Sequence, residues 1–223
     1  KRDKDPLLDF TRVDCLSFVE QVTALSFASR YSEVLSWLLR FRYAGAKPSF
    51  KRRYYTMVNG WTKAQQRGGW LRDVTRDVAG PRYTRVLKRS LKPKSYWDRR
   101  HRRRFAYMGK WAPKGVARLD YIPVEHAVRL APKFPTPALM HIVSERSFRS
   151  PYLISHTGLV LRRDGETLFR HASRSPDRRH VEDRPVGEYL KTLQKYHLKE
   201  GRRRVLGVNL TACGRQRGSD RRR

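Results

Sequence analysis

Cysteine is almost absent from this sequence: there are two in 223 residues, Cys15 and Cys213. Two cysteines build neither a disulfide framework nor a four-thiolate zinc site. The one bridge open to them, Cys15–Cys213, would staple the two ends of the chain. Cys213, however, lies among Gly and Arg in what reads as a loose tail. Acidic residues are scarce as well, with 20 Asp and Glu against 51 Lys and Arg, a net charge of +31. That imbalance excludes no fold, but it predicts attraction to polyanions: nucleic acid, acidic membrane surfaces or anionic cell-wall polymers. No apolar run approaches the ~18 residues of a membrane-spanning helix. Internal repeats, closely spaced metal-ligand pairs and nucleic-acid-binding motifs are all missing, so neither a solenoid nor a zinc module is expected.

What is present suits a globular α+β protein. Hydrophobic residues make up 39% of the chain and aromatics 11%, enough for a core and too much for disorder throughout. We expect one domain over residues 1–211, with a basic surface insertion at about 80–115 and a basic, disordered tail over 212–223. The positive charge peaks at Arg85 to Arg104, which contains Arg99-Arg100-His101-Arg102-Arg103-Arg104, and again from Arg215 to Arg223. The first third reads as helical. From Cys15, Phe18, Val22 and Leu25 recur on one face with Val19 beside them. Ser32 is expected to cap a second helix carrying Val34, Leu35, Leu38 and Phe41. Ser49 is expected to cap a third, with Phe50, Tyr54, Met57 and Trp61 in one stripe and Gly68-Gly69 at its end. The last third reads as strands at Leu139 to Val143, Leu153 to Leu161, Thr167 to Ala172 and Arg204 to Leu210, with a helix at Glu188 to His197. Helices first and an antiparallel sheet after define the expected fold.

Chemistry concentrates at three residues. Cys15 stands where a polar turn gives way to an apolar-periodic run, which places its thiol in the first turn of a helix. There the unpaired N–H groups and the helix dipole favour thiolate. Asp164-Gly165 predicts a two-residue hairpin turn, in which Arg163 faces Glu166. That register brings His156 and His171 onto one face as diagonal neighbours, within reach of each other, with Gly158 a place for a bulge. One imidazole can take a thiol proton while the other fixes its orientation. His101 and His180 fall in Arg-rich loops; His126, His141 and His197 read as packing or surface residues.

Together, Asp14-Cys15-x-x-Phe18-Val19-Glu20, Ser155-His156-Thr157-Gly158-Leu159-Val160 and His171-Ala172-Ser173 resemble the NlpC-type, papain-like cell-wall cysteine peptidases. More narrowly, the chain resembles their N-acetylmuramoyl-L-alanine amidase-like branch. Phe41-Arg42-Tyr43, Arg53-Tyr54-Tyr55 with Trp61, Leu71-Arg72-Asp73-Val74-Thr75, Tyr121-Ile122-Pro123 and Pro185-Val186-Gly187-Glu188-Tyr189-Leu190 carry that narrower likeness, which spans roughly residues 5 to 211. It implies a papain-like fold in which N-terminal helices bearing the nucleophile pack on an antiparallel sheet bearing the histidines. It also implies hydrolysis of a peptidoglycan amide bond without a cofactor: Cys15 is the nucleophile, His156 the base and His171 its orienting partner. Arg53, Tyr54 and Tyr55 are candidates to contact substrate, and Asp14 is a helix cap. A periplasmic, envelope or secreted location follows from the resemblance; the chain begins Lys1-Arg2-Asp3-Lys4, and we expect a signal peptide to have been removed. Three departures stand out: Leu16 replaces the usual small hydroxyl residue, Tyr54 a frequent His, and Ala138-Leu139-Met140-His141 a usual Gly-Asp. Two other readings compete. One is a basic nucleic-acid-binding protein on a catalytically inactive scaffold, favoured by the charge and by Tyr96, Trp97 and Trp111 near the Arg run. The other takes Cys15, His156 and His171 as zinc ligands; we expect no metal.

Overall fold

Asp14 stops the polar N-terminal segment by capping the first helix, α1 (Cys15–Phe27). Its carboxylate accepts from the Ser17 N–H at 2.7 Å, and the Ser17 hydroxyl accepts from the Asp14 N–H at 2.9 Å. The computed structural model describes residues 7–54, 56–91, 115–145, 153–173, 175, 179–197 and 204–214. Along α1, Phe18, Val19 and Ala24 are buried, but Leu25 is not. Glu20 and Thr23 also turn inward, which rotates the buried stripe away from Leu25.

Ser32 does not cap the second helix. It sits inside a 3₁₀ turn (Tyr31–Glu33) that runs into α2 (Val34–Arg42), and no side chain caps either. Val34, Leu38 and Phe41 are buried, whereas Leu35 is exposed. The third helix begins later than its apolar spacing predicts. Tyr43 and Arg53 form an antiparallel bridge, with Ala44 N–H donating to Arg52 O at 2.8 Å and Tyr54 N–H to Arg42 O at 3.0 Å. Those bonds claim backbone groups that a helix from Ser49 would need. A π-helical stretch (Met57–Thr62) therefore opens the element, α3 (Lys63–Arg67) continues it, and Gly68 ends it.

Among the described residues the sheet has eight strands, all paired antiparallel: β1 (Leu71–Asp73), β2 (Arg85–Leu91), β3 (Gly115–Pro123), β4 (Ala138–Ser144), β5 (Ile154–Arg163), β6 (Glu166–Ala172), β7 (Val181–Pro185) and β8 (Val205–Cys213). Their order is β2-β3-β8-β4-β5-β6-β7, with β1 on the far end of β8. Helices α4 (Thr75–Ala79), α5 (Val124–Leu130) and α6 (Val186–His197) lie between strands. The α+β expectation holds, with two corrections. Within the span expected to be a basic surface insertion, Arg85–Leu91 is a strand, with Leu87 packed inward opposite Leu119 while Lys88 faces solvent opposite Arg118. The last strand runs through Cys213 rather than fraying at 212: Ala212 and Cys213 pair with Arg72 and Leu71, and Gly214 N–H donates to Trp70 O at 2.8 Å. The Arg99 to Arg104 run and residues 215–223 lie outside the described residues.

Each sheet face has its own cover. Met140, Ile142, Val160, Phe169, Val208 and Leu210 pack with α5 and α6 through Val124, Ala127, Tyr189 and Leu190. On the other face, Leu139 and Ala172 meet Phe18 and Val19 of α1, together with Trp61. No helix among the described residues is long and apolar enough to cross a membrane.

Candidate active site

The segment that leads to Cys15 is tied to the protein interior from two sides. Gln21 accepts from Asp9 N–H at 2.7 Å and donates to Asp9 O at 3.1 Å. Arg42, from α2, donates to Leu7 O at 2.8 Å and to the Glu20 carboxylate at 2.6 Å, a pair wholly removed from solvent. Burial pushes the Glu20 carboxyl up to about 7 even against the neighbouring Arg42 and Arg53 charges. Cys15 is thus the first residue of a helix whose cap, interior charge and approach are all fixed. Neither Cys15 nor Cys213 is in a disulfide.

The strands beneath are shaped around two histidines. The β5–β6 turn has positive φ at Asp164 (52°) and Gly165 (79°), as a type I′ hairpin requires. Its register runs from Arg163↔Glu166 to Leu159↔Arg170, the one the Asp-Gly turn dictates. Gly158 is not the site of a bulge. A Cβ there would lie 2.4 Å from Arg170 O and 2.9 Å from the His171 Cβ, so only glycine lets β6 close up on β5 at this point. The irregularity falls three residues earlier. Ile142 pairs with His156 but Val143 pairs with Ile154, which leaves Ser155 as the extra residue. Its hydroxyl shares a hydrogen bond with Ser144 Oγ at 2.8 Å and donates to Ile142 O at 3.3 Å. A bulge re-aims the side chain beside it, and here that side chain is His156.

His156 Nε2 and His171 Nδ1 are 3.0 Å apart, with the two rings nearly perpendicular. The His171 ring stacks on Phe169 and touches Tyr189 of α6. Burial lowers the His171 pKa, opposed in part by the Glu182 carboxylate, whose Oε1 is 3.6 Å from His171 Nε2. Burial also raises the Tyr189 phenol, and the charge on Cys15 raises it further, so the helix start and the histidine pair share one electrostatic neighbourhood. Helix α1 packs across β5 and β6, the strands that carry His156 and His171.

The remaining candidates fall into place unevenly. Tyr54 is half-buried against the Phe18–Val19–Trp61 cluster, as is Leu16, so both unusual residues have packing roles. Neither Arg53 nor Tyr54 is on a helix; Arg53 sits in the bridge to Tyr43, near enough for its charge to act on Glu20. Tyr55 lies outside the described residues. His141 is fully buried between Thr157 Oγ1 (2.8 Å from Nδ1) and Thr211 Oγ1 (3.1 Å from Nε2), and burial lowers its pKa to about 3. Sequence reasoning missed Glu182. Its strand, Val181-Glu182-Asp183-Arg184-Pro185, has too many charges to read as one, and only its place opposite His171 reveals it. Among the described residues, no three Cys, His, Asp or Glu side chains converge as a metal-ligand set.

This is the fold of several bacterial proteins of known structure. A Legionella pneumophila protein superposes with a TM-score of 0.79 at 20% identity, over 96% of this chain and 79% of the other. An N-acetylmuramoyl-L-alanine amidase from Bacteroides uniformis gives 0.69 at 18% identity, over 95% and 89%. A Bacteroides fragilis protein assigned only provisionally as a xylanase gives 0.70 at 20%, over 93% and 89%. A comparison of the sequence with curated proteins finds no significant match. Residues 1–196 match the AmiA-like, N-acetylmuramoyl-L-alanine amidase-like family, and the chain belongs to it.

Proposed function

We propose that this chain hydrolyses an amide bond of peptidoglycan outside the cytoplasm, with Cys15 as nucleophile, His156 as base and His171 as the group that orients His156. The observation that carries this reading is the 3.0 Å contact between His156 Nε2 and His171 Nδ1, beside Tyr189, whose phenol is raised by burial and by the charge of Cys15 at the start of α1. Membership of an amidase-like family supports the substrate class. In this mechanism the Cys15 thiolate attacks the amide carbonyl, and the backbone N–H of Cys15, in the first helical turn, donates to the developing oxyanion. His156, now protonated, delivers its proton to the leaving amine as the C–N bond breaks. Water then attacks the thioester, with His156 taking the water's proton and returning it to the Cys15 sulfur. This proposed mechanism is that of the papain-like, NlpC-type cysteine hydrolases. The scissile bond is that between muramic acid and L-Ala or one within the stem peptide. Arg53, whose charge reaches Glu20, and Tyr54, packed against the Phe18–Val19–Trp61 cluster, are assigned to substrate contact. The net charge of +31 serves to hold the enzyme on anionic wall polymers.

The charge also favours the second reading, a nucleic-acid-binding protein on an inactive scaffold, and one experiment separates the two. Purified peptidoglycan is digested and the released ends identified by mass spectrometry, with Cys15→Ala as control. New amine and carboxyl ends with the wild type and none with the variant are expected. Iodoacetamide at mildly acidic pH should label Cys15 well before Cys213, because the helix start favours thiolate at Cys15 whereas desolvation raises the Cys213 thiol. Equal labelling of both with hydrolysis intact would remove the cysteine mechanism.

A further inference from the structure

We infer that Glu182 is a positioning residue: it holds the single ring proton of His171 on Nε2, and so leaves Nδ1 of His156 as the lone-pair nitrogen that can accept a thiol proton. The inference rests on the hydrolase reading above, but its first consequence can be observed without catalysis.

Two neutral imidazoles joined through one hydrogen bond have two possible arrangements. In the first, His156 Nε2–H donates to His171 Nδ1; His156 then has a bare Nδ1, and His171 must carry its own proton on Nε2. In the second, His171 Nδ1–H donates to His156 Nε2, and His156 carries its proton on Nδ1. A neutral His156 in that state is no base towards a thiol at Nδ1. The 3.0 Å contact fits either arrangement. What distinguishes them is the group facing the far nitrogen of His171.

That nitrogen is buried and makes no hydrogen bond among the described residues; Glu182 Oε1 stands 3.6 Å from it. The register puts Glu182 directly opposite His171 in the β6–β7 pair, so the approach is set by the sheet rather than by a flexible side chain alone. A carboxylate accepts hydrogen bonds and donates none, so it favours a proton on Nε2, the first arrangement. The other charged or titratable groups around His171 do not replace it. Asp183 is held by Arg170 through two bonds, at 2.7 and 2.8 Å, with Arg163 3.3 Å away. Arg184 opposes positive charge on His171, and Tyr189, in ring contact, has its phenol pushed up by burial and by Cys15. His156 is the partner itself. The same carboxylate supports the imidazolium that forms when His156 takes the proton, and the pair can share that charge.

The test uses the full chain with ¹⁵N-labelled histidine and long-range proton–nitrogen NMR spectra, which distinguish protonated from bare ring nitrogens. His171→Asn assigns the signals. In the wild type, His171 should carry its proton on Nε2 and His156 on its own Nε2. In Glu182→Ala, the opposite arrangement should become populated, kcat on a muropeptide should fall about 10- to 100-fold with KM little changed, and the acid limb of the kcat profile should move to lower pH. Glu182→Gln, whose amide oxygen can still accept, should lie between the two and guards against a folding defect in the alanine variant. A wild-type His171 protonated on Nδ1, or a Glu182→Ala protein with unchanged tautomers and kcat, overturns the inference. If the tautomers respond as expected but the wild type cleaves no muropeptide, the positioning role stands and the hydrolase reading falls.

Discussion

His141 and His171 belong to the same sheet and are about equally buried, at 0% and 3% exposure, yet their surroundings differ in kind. His141 lies on β4 between two threonine hydroxyls, one on each ring nitrogen. His171 lies on β6 between a second histidine and a carboxylate, with the start of α1 felt through Tyr189. Burial and satisfied hydrogen bonds make His141 an internal strut. A partner that can exchange a proton, and a charge that can follow it, give His171 a different set of possibilities. Histidine in a core is therefore a weak functional signal until its neighbours are known.

The comparison can be broken at its strongest point by activity. His156→Ala should cost about 10²- to 10⁴-fold in kcat/KM, the usual worth of a general base. His171→Ala should cost less, and His171→Asn should recover part of the loss, because an amide can still bond the His156 ring. Steady-state kinetics on a soluble muropeptide measure all three, and a dead His171→Ala beside an active His156→Ala would reverse the assigned roles.

A smaller effect, on stability alone, is expected at the other histidine. His141→Leu leaves the buried hydroxyls of Thr157 and Thr211 without their ring partner and should destabilise by about 1–3 kcal/mol in urea unfolding, with activity per folded molecule retained. The pH dependence follows from its lowered pKa. Unfolded, this histidine titrates at 6.5; folded, burial holds it near 3, so between those values the unfolded chain binds the extra proton. Stability from this site is therefore complete above pH 6.5 and is lost as pH falls towards 3. His141→Leu should flatten that acid decline; an unchanged slope would show that the imidazole is not the group responsible.

The smallest change in turnover is expected from the Arg-rich run. Neutralising Arg99, Arg100, Arg102, Arg103 and Arg104 should weaken adsorption to whole cell walls and flatten its salt dependence, while cleavage of a small muropeptide stays within about twofold. Salt-sensitive binding to DNA or RNA that vanishes in the same variant, with no amide hydrolysis in either protein, would favour the nucleic-acid reading.

Much of the candidate site could be read from sequence because short-range rules governed it. Asp14 ahead of an apolar run marked the start of α1, and the Asp164-Gly165 turn set the register that brings His156 to His171. What could not be read depended on distant partners. Strands β2 and β7 carry lysine, arginine and acidic residues where a strand pattern would show apolar ones, since among the described residues each pairs with a single strand and has a solvent-facing side. The apolar spacing of Phe50, Tyr54 and Met57 mimicked a helix that the Tyr43–Arg53 bridge forbids. Leu25 and Leu35 were displaced from the interior of their helices, Leu25 by the inward turn of Glu20 to meet Arg42. Glu182 was invisible for the same reason as β7 itself.

Gly158 gives the histidine pair a consequence for anyone who would rebuild it. A Cβ at 158 would collide with the Cβ of His171 and the carbonyl of Arg170, so the identity of one position dictates what its cross-strand neighbour can be. The pair cannot be grafted onto another hairpin as two histidines at the right spacing. The graft would have to include the glycine that lets the strands close, the Ser155 bulge that turns His156, and an acidic residue on the next strand over. Those parts come from three strands, so the smallest transplantable unit is a piece of sheet rather than a motif.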